Sequence, residues 1–358
     1  VNLEHLLEQP CAWFVDHDPG EIAISSRIRL ARNLEGYPFP ARAKPAQRAE
    51  LRGRVLEHVR TLPAFAEGCL IEMDDLDPLR RMLLFERSLI SKDLAEGERE
   101  GGLAVSADSQ DVIMINEEDH LRLQVIRPGL GLDAAWEEMK QIDDALDACL
   151  PYAFSETFGY LTCCPTNTGT GLRAGVMLHL PGLALLEEIT PVMRGLSKIG
   201  LAVRGLGGEG SDADGFLYQV SNQITLGADE ETIIAGIRDV VAELVEHEAN
   251  ARLRLAEAKP AWLRDRVGRA VGTLTSAWIL PSKEAMDQLA LLRLGLALEL
   301  LALDRPHGVE QLMVEVRPAH MQHLAGRELA PDARDIFRAE WVRSKLADLR
   351  KGSKLYPS

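Results

Sequence analysis

Residues 24–40 read ISSRIRLARNLEGYPFP, and three arginines, Arg27, Arg29 and Arg32, stand within one short extended run. With a strand's period of two, Ile24, Ser26, Ile28 and Leu30 lie on one face, while Ser25, Arg27 and Arg29 lie on the other. An apolar face opposite a basic one predicts a half-buried strand. Two readings fit it. The arginines are either a solvated edge balanced by nearby carboxylates or part of a polyanion clamp, and a clamp requires further arginines converging from elsewhere in the chain.

The chain has 358 residues, with 40 Lys and Arg against 55 Asp and Glu, a formal net charge of −15 and 46% hydrophobic residues. That is apolar material for one large domain or two ordinary ones, and not the profile of a disordered chain. The acidic balance argues against general binding to nucleic acid or to an anionic membrane, since both require a basic surface. No apolar run approaches the ~18 residues of a membrane span, and VNLEHLLEQP lacks the basic start and apolar core of a signal peptide, so a cytoplasmic location is expected. The five cysteines are odd in number and lack CxxC spacing, which predicts neither a disulfide framework nor a zinc site. No metal ligand is assigned to a protein side chain. A phosphate ligand would have to be held by a local basic cluster.

Residues 20–227 mix strand-like and helix-like text. DVIMIN (111–116), LRLQVI (121–126), FGYLTCC (158–164), RAGVMLHL (173–180) and GFLYQVSNQI (215–224) read as strands, and 133–149 and 183–199 carry helical spacing. After Gly227 the text turns to Ala, Leu, Glu and Arg over 229–257 and 261–304, interrupted at Lys259-Pro260, and it stays helical at 309–316 and 332–351. The expected organisation is a short N-terminal segment (1–19), an α+β domain (20–257) and a helical domain (258–358).

Further arginines occupy matching positions. Arg122 and Gln124 lie opposite Leu121, Leu123 and Val125, Arg173 lies opposite Ala174, Val176 and Leu178, and Arg204 closes LAVRG before GLGGEGSDADG (205–215). With Arg27 and Arg29 this makes five strand arginines, the makings of a sheet face that holds a triphosphate, because planar guanidinium forks match phosphate oxygens. The glycine-rich loop can close over a ligand. Neither a Walker A sequence nor the usual protein-kinase motifs appear.

NEEDH (116–120) stacks Glu117, Glu118 and Asp119 between two strands, as a solvated turn or as a grip on something positive. A guanidinium acceptor satisfies the second reading. Its nitrogen is a poor nucleophile until a carboxylate orients it and takes a proton. Glu209, in the glycine loop, can complete the grip on closure. Cys164, in CCPTNTGTG, is either a third contact or a small buried apolar residue.

SSRIRLARN, NEEDHLR, CPTNTGTGLRAGVMLHLP, and RGLGGEG with SNQITLG resemble, in this order and over roughly residues 20–255, the catalytic domain of the phosphagen (guanidino) kinases. That family transfers phosphate from MgATP to a guanidinium nitrogen. The resemblance implies an antiparallel sheet flanked by helices, with ATP and Mg2+ as the nucleotide substrate. It implies that Arg27, Arg29, Arg122, Arg173 and Arg204 bind the phosphates. Ser25, Ser26 and Ile28 accompany the first pair, Ala174, Gly175, Val176 and Met177 follow Arg173, and Gly205, Leu206, Gly207 and Gly208 follow Arg204. It also implies Glu118 as the main catalytic carboxylate with Glu117 beside it, Glu209 as a second guanidinium clamp and Cys164 as the active-site thiol. The family's adenine-side histidine aligns with Ser88 in FERSLIS (85–91), where neighbouring Arg87 can offer a cation–π contact instead. Gly207 stands where arginine kinases carry a second arginine.

Small-molecule members carry a helical domain before the catalytic one. Here 24 residues precede SSRIR and helical text follows, an arrangement similar to that of bacterial protein-arginine kinases. RDIFRA (334–339) resembles their phosphoarginine-receptor motif: Arg334 and Arg338 share a helix face suited to a phosphoryl group, Asp335 can face a guanidinium, and Ala339 completes the motif. The plain alternative is a surface salt-bridge helix. The resemblance implies a stress-response kinase acting on proteins with exposed arginine, homodimeric through its helical domain and allosterically coupled to the receptor site. It implies targets marked for a Clp-type unfoldase and protease, and leaves room for an activator protein. Two rivals stay open: a kinase for free arginine or another small guanidino compound, and a non-catalytic phosphoarginine reader.

Overall fold

In the computed structural model, which describes residues 2–11, 21–97, 100–206, 213–303 and 308–349, the alternation of ISSRIRLARN is realised as strand β1 (Ala23–Arg32). The other strands are β2 (Cys69–Glu72), β3 (Gly102–Val105), β4 (Asp111–Ile115), β5 (Leu121–Pro128), β6 (Phe154–Ser155), β7 (Gly159–Tyr160), β8 (Leu172–His179), β9 (Leu201–Gly205) and β10 (Leu217–Asn222). Helices α1 (Leu3–Glu8), α2 (Pro45–Val59), α3 (Pro78–Glu86), α4 (Lys92–Glu96), α5 (Leu132–Asp147), α6 (Pro181–Leu185) and α7 (Ile189–Lys198) are interspersed with them. An all-helical run follows: α8 (Glu230–Ala258), α9 (Pro260–Ser276), α10 (Ser282–Ala297), α11 (Gly308–Glu315), α12 (Pro318–Ala325) and α13 (Pro331–Leu349). The main sheet has the order β2-β3-β4-β5-β1-β8-β10-β9, and β6 and β7 form a separate hairpin.

By internal packing the chain forms two compact units: Val1–Trp13, Ser25–Val176 and Ser221–Arg238 make one, and Phe14–Ile24, Met177–Val220 and Asp239–Ser358 make the other. In the first unit β1 pairs antiparallel with β5, with Ile28 opposite Val125 and Leu30 opposite Leu123. All four are fully buried, and each contributes about 1.5–3 kcal/mol by leaving water. Helix α5 packs on β5 and buries Ala135, Met139, Ile142 and Leu146 at helical spacing. This layer pins the register, since a one-residue slip would turn the arginines into the core.

The three arginines of the opening stretch therefore part company. Arg32 has the parity of Ile28 and Leu30 and points to the α5 side, where it is 1% exposed. Its Nη2 pairs with Asp143 Oδ2 at 2.7 Å, Nη1 donates to Thr170 O at 2.8 Å, and the guanidinium lies 3.5 Å from the Tyr160 ring centroid. It is a structural ion pair, and a costly one to break from one side.

Three predicted elements differ. FGYLTCC is strand only at Gly159–Tyr160, and the segment beyond is loop. There Gly169, at φ +115, approaches Thr225 so closely that a Cβ would lie 2.1 Å from its carbonyl oxygen. The helical text at 183–199 divides where Glu187 adopts φ +62. The text at 261–304 divides between Ser276 and Ser282, at the segment ending in Pro281.

The second unit contains a buried polar network. Glu248 accepts the N–H groups of Gly182 and Leu183 at 2.8 and 2.9 Å, which satisfies the start of α6, and also accepts from Arg252 Nε at 2.8 Å. Arg252 Nη2 donates to His179 O, Arg293 Nη1 meets His179 Nδ1 at 3.0 Å, and Arg293 Nε donates to Glu310 Oε1 at 2.7 Å. Burial, then Arg293 and Arg252, push His179 well below the usual histidine range, so it is neutral and can accept from Arg293.

Candidate active site

The β1–β5 register sets Arg27 opposite Ile126, Arg29 opposite Gln124 and Ala31 opposite Arg122. The three arginines therefore share the face turned away from α5. Arg173, on β8, joins them in the first unit and acts electrostatically on both Arg27 and Arg29. Burial, then Arg122 and Arg173, bring Arg27 down to about 10. Arg29 is pulled well below the ordinary arginine range by burial, then Arg27, Arg122 and Arg173, with Glu117 opposing. Arg29 Nε is buried without a hydrogen-bond partner. Gathering four guanidinium groups on a partly buried face is unfavourable in itself, and a polyanion relieves it.

Ser25 shares the arginine face and is 6% exposed. Ser26 and Ile28 have the opposite parity, so of these two only the backbone borders the cluster. Ser26 Oγ donates to Gly129 O at 2.8 Å and accepts from Gly131 N at 2.9 Å, fixing the turn after β5. Ala174 N donates to Asn222 Oδ1 at 2.9 Å; Ala174, Gly175 and Val176 are buried on β8, as is Met177, which belongs to the second unit.

Gln124 Nε2 donates to Ser88 O at 2.9 Å, which brings the turn carrying Ser88, at φ +61, to the arginine face. Arg87 faces elsewhere. It is 2% exposed, and its Nη1 and Nη2 donate to Leu7 O at 3.3 Å and Gln9 O at 2.7 Å. The expected contact of Arg87 with adenine is therefore corrected, because the fork is committed to the end of α1.

The NEEDH loop turns at Asn116, at φ +59, and closes through Asn116 N donating to His120 O. Glu117 accepts from Arg122 Nη1 at 2.5 Å, and Glu118, 43% exposed, lies 3.6 Å from Arg122 Nη2. Burial and then Asp119, with smaller contributions from Glu117 and Asp93, push Glu118 above the usual glutamate range, while Arg122 opposes them. Arg122 thus belongs to both the basic cluster and the carboxylate loop.

Asp119 Oδ1 accepts from Asn33 Nδ2 and Cys163 N, both at 2.7 Å, and Asn33 Oδ1 accepts from His120 N at 2.9 Å. These bonds hold the CCPTNT loop beside Glu118. Cys164 Sγ lies 3.0 Å from Thr166 Oγ1. Sequence reasoning had no role for Asn33; its visible signal was an amide directly after a buried strand. A cavity of about 510 Å3 opens at the loop, lined by Asp93, Glu96, Asn116, Glu117, Glu118 and Cys163 among others.

Arg204 and Gly205 lie on β9 and Leu206 follows it, in the second unit, with Arg204 exposed. Gly207, Gly208 and Glu209 lie outside the described residues. RDIFRA lies on α13, also in the second unit. Arg338 is 1% exposed, donates to Val316 O at 2.6 Å and Leu280 O at 2.8 Å, and pairs with Asp335. Ala339 is also buried. The expected pairing of Arg338 with Arg334 as a phosphoryl grip is corrected: Arg338 is fastened inside the unit, and the guanidinium facing Asp335 is its own. Arg334 is partly exposed on the same helix.

Residues 50–251 match the C-terminal catalytic domain of the ATP:guanido phosphotransferases, and residues 260–355 match the C-terminal domain of the protein-arginine kinase McsB. The chain is 45% identical over 347 residues to the protein-arginine kinase of Halothermothrix orenii, covering 96% of this chain and 97% of that one. The chain belongs to the protein-arginine kinases of the ATP:guanido phosphotransferase family. A second protein-arginine kinase, from Moorella thermoacetica, is 45% identical over 345 residues, covering 95% of this chain and 99% of that one. The substrate-free duplicated taurocyamine kinase of Schistosoma mansoni superposes with a TM-score of 0.57 at 26% identity, covering 69% of this chain and 37% of that one. The expected fold class, a phosphagen-kinase catalytic domain with an antiparallel sheet followed by a helical C-terminal domain, is the one found. Among the described residues no helix is long and apolar enough to cross a membrane.

Proposed function

We propose that this kinase transfers the γ-phosphoryl group of MgATP to a guanidinium nitrogen of arginine side chains in folded or partly unfolded proteins. The observation that carries the reading is Arg122, which links the strained arginine cluster to the Glu117–Glu118 loop. The nucleotide phosphates settle on Arg27, Arg29, Arg122 and Arg173, the family likeness adds Arg204 as a further phosphate ligand, and Mg2+ arrives as part of the nucleotide substrate. The orphaned Arg29 Nε fits such an anion. Glu118 takes the proton from the acceptor guanidinium, and its raised pKa suits a group that must gain a proton in the reaction. The freed nitrogen attacks the γ-phosphorus in line, the bond to the β-phosphate oxygen breaks, and ADP leaves. Glu209 is the second clamp on the acceptor and Cys164 a third contact.

In this reading residues 258–358 form a dimerisation domain carrying a phosphoarginine receptor that includes Arg334 of RDIFRA. The kinase works in the cytoplasm under stress with an activator protein, and its products go to a Clp-type protease. The family likeness supports these roles. The test is incubation of the purified chain with MgATP and an arginine-containing protein such as casein, followed by mass spectrometry under conditions that preserve acid-labile phosphate. Phosphoarginine in the protein is the expected result, and phosphorylation of free arginine alone would contradict the reading.

A further inference from the structure

The cavity beside Glu118 has a chemistry that the transfer reaction alone does not explain. At about 510 Å3 it falls in the roughly 300–1,000 Å3 range of sites for whole small ligands. That is more than the seven heavy atoms of one arginine side chain fill. Among the described residues its lining includes four carboxylates, from Asp93, Glu96, Glu117 and Glu118, and no lysine, arginine or histidine, although Arg122 behind it meets Glu117 and Glu118. Two of the four belong to α4. Buried Leu94 and Ala95 hold that helix down, and Asp93 and Glu96, three apart, stay exposed on its cavity side. Among the described residues, the Glu96 carboxylate is paired only with an exposed Lys92 ammonium at 3.8 Å, a contact that a substrate cation can displace.

A second observation points to a ligand. Asn116 lines the same cavity and is 1% exposed, and its Nδ2 is committed to Arg48 O and Glu100 O. These bonds settle the orientation of the amide and leave Oδ1 buried without a partner. The site therefore presents acceptors and negative charge, the complement of a chain segment rich in N–H donors and positive charge.

We infer that this cavity selects polypeptide substrates whose acceptor arginine has lysine or arginine neighbours, with Asp93 and Glu96 as specificity-determining residues. The inference rests on the reading of the Glu118 loop as the arginine acceptor site. A basic neighbour lies along α4, and Asn116 Oδ1 takes one of the donors of the incoming segment. The preference weakens with added salt, because the α4 carboxylates are exposed.

The test compares two peptides, each with a single acceptor arginine, one flanked by lysines and one by serines. The readout is the ratio of their kcat/KM values, which is insensitive to the fraction of enzyme folded. The parent is expected to favour the lysine-flanked peptide by about three- to tenfold, as two surface charge pairs allow. The ratio should fall toward one in the Asp93→Asn, Glu96→Gln double variant. The Asp93→Lys, Glu96→Lys variant should favour a glutamate-flanked peptide. Equal use of both peptides by the parent, or an undiminished ratio in the double variant, overturns the inference while leaving the kinase reading intact. Phosphorylation of neither peptide, with free arginine still phosphorylated, overturns the protein-kinase reading and the inference with it.

Discussion

Arg122 Nη1 donates to Glu117 Oε1 at 2.5 Å, and by register the same arginine shares a face with Arg27 and Arg29. One side chain therefore sits between the positive cluster assigned to phosphate and the negative loop assigned to the acceptor. This explains how opposite charges coexist in a small volume: Arg122 offsets carboxylates that would otherwise repel a triphosphate, and Glu117 offsets part of the repulsion felt by Arg29.

Glu118→Gln should retain nucleotide binding and lose phosphoryl transfer by roughly 10²–10⁴-fold, the usual cost of removing a positioned base. The pH dependence follows in sign. The carboxylate acts in its ionised form, and its pKa is raised by burial and by Asp119. The rate therefore falls as pH drops through a value above the ordinary glutamate range. Steady-state rates against pH, with nucleotide affinity measured in parallel, check both statements. Near-normal turnover in the variant would remove Glu118 from the chemistry.

Arg87→Ala should change stability and not nucleotide binding. Its fork holds the carbonyls of Leu7 and Gln9, and charge-assisted bonds of this kind contribute about 1.5–3 kcal/mol each. Denaturant unfolding should show a lower midpoint, and calorimetric titration with a non-hydrolysable ATP analogue should show affinity within about twofold of the parent. A large affinity loss without destabilisation would restore the adenine contact.

On α13, Arg338→Ala should destabilise by about 3 kcal/mol or more, because it leaves Asp335 and two backbone carbonyls without their cation. It is thus unsuitable as a test of phosphoarginine recognition. Arg334→Ala is the clean variant, and it should abolish phosphoarginine binding in titration while shifting the unfolding midpoint little. Unchanged binding would remove the receptor role from this helix.

Much of this architecture was legible in the text of the chain. Period-two alternation suffices to place Arg27, Arg29 and Arg122 on one face, because a strand's parity is local and the buried Ile28, Leu30, Leu123 and Val125 enforce it. The unread parts depend on what lies across space. Arg32 has core parity, yet only the structure supplies Asp143 and Tyr160 to receive it. Nothing near Arg87 in sequence says that its fork reaches back to Leu7 and Gln9. Arg338 obeys the i,i+4 spacing that suggested a shared face with Arg334, but its environment is set by Val316 and Leu280, distant in sequence. The division of the helical text at Glu187 depends on a left-handed residue that composition does not mark.

The central claim is that the arginine cluster is a destabilising feature which nucleotide phosphate relieves. Arg27 has a folded-state pKa of about 10, below its unfolded value, so the unfavourable contribution is fully present below pH 10 and is relieved as pH rises beyond it. The most direct measurement is thermal unfolding at pH 7.5 of the parent and Arg29→Met, each with and without a saturating non-hydrolysable MgATP analogue. Without nucleotide the variant should be the more stable, by about 2–4 °C for each kcal/mol of repulsion removed. With nucleotide the order should reverse, since the parent gains about 2.7 kcal/mol at a ligand concentration one hundred times its Kd and the variant gains little. A variant less stable than the parent without nucleotide, or one that gains as much as the parent on adding it, would contradict the account.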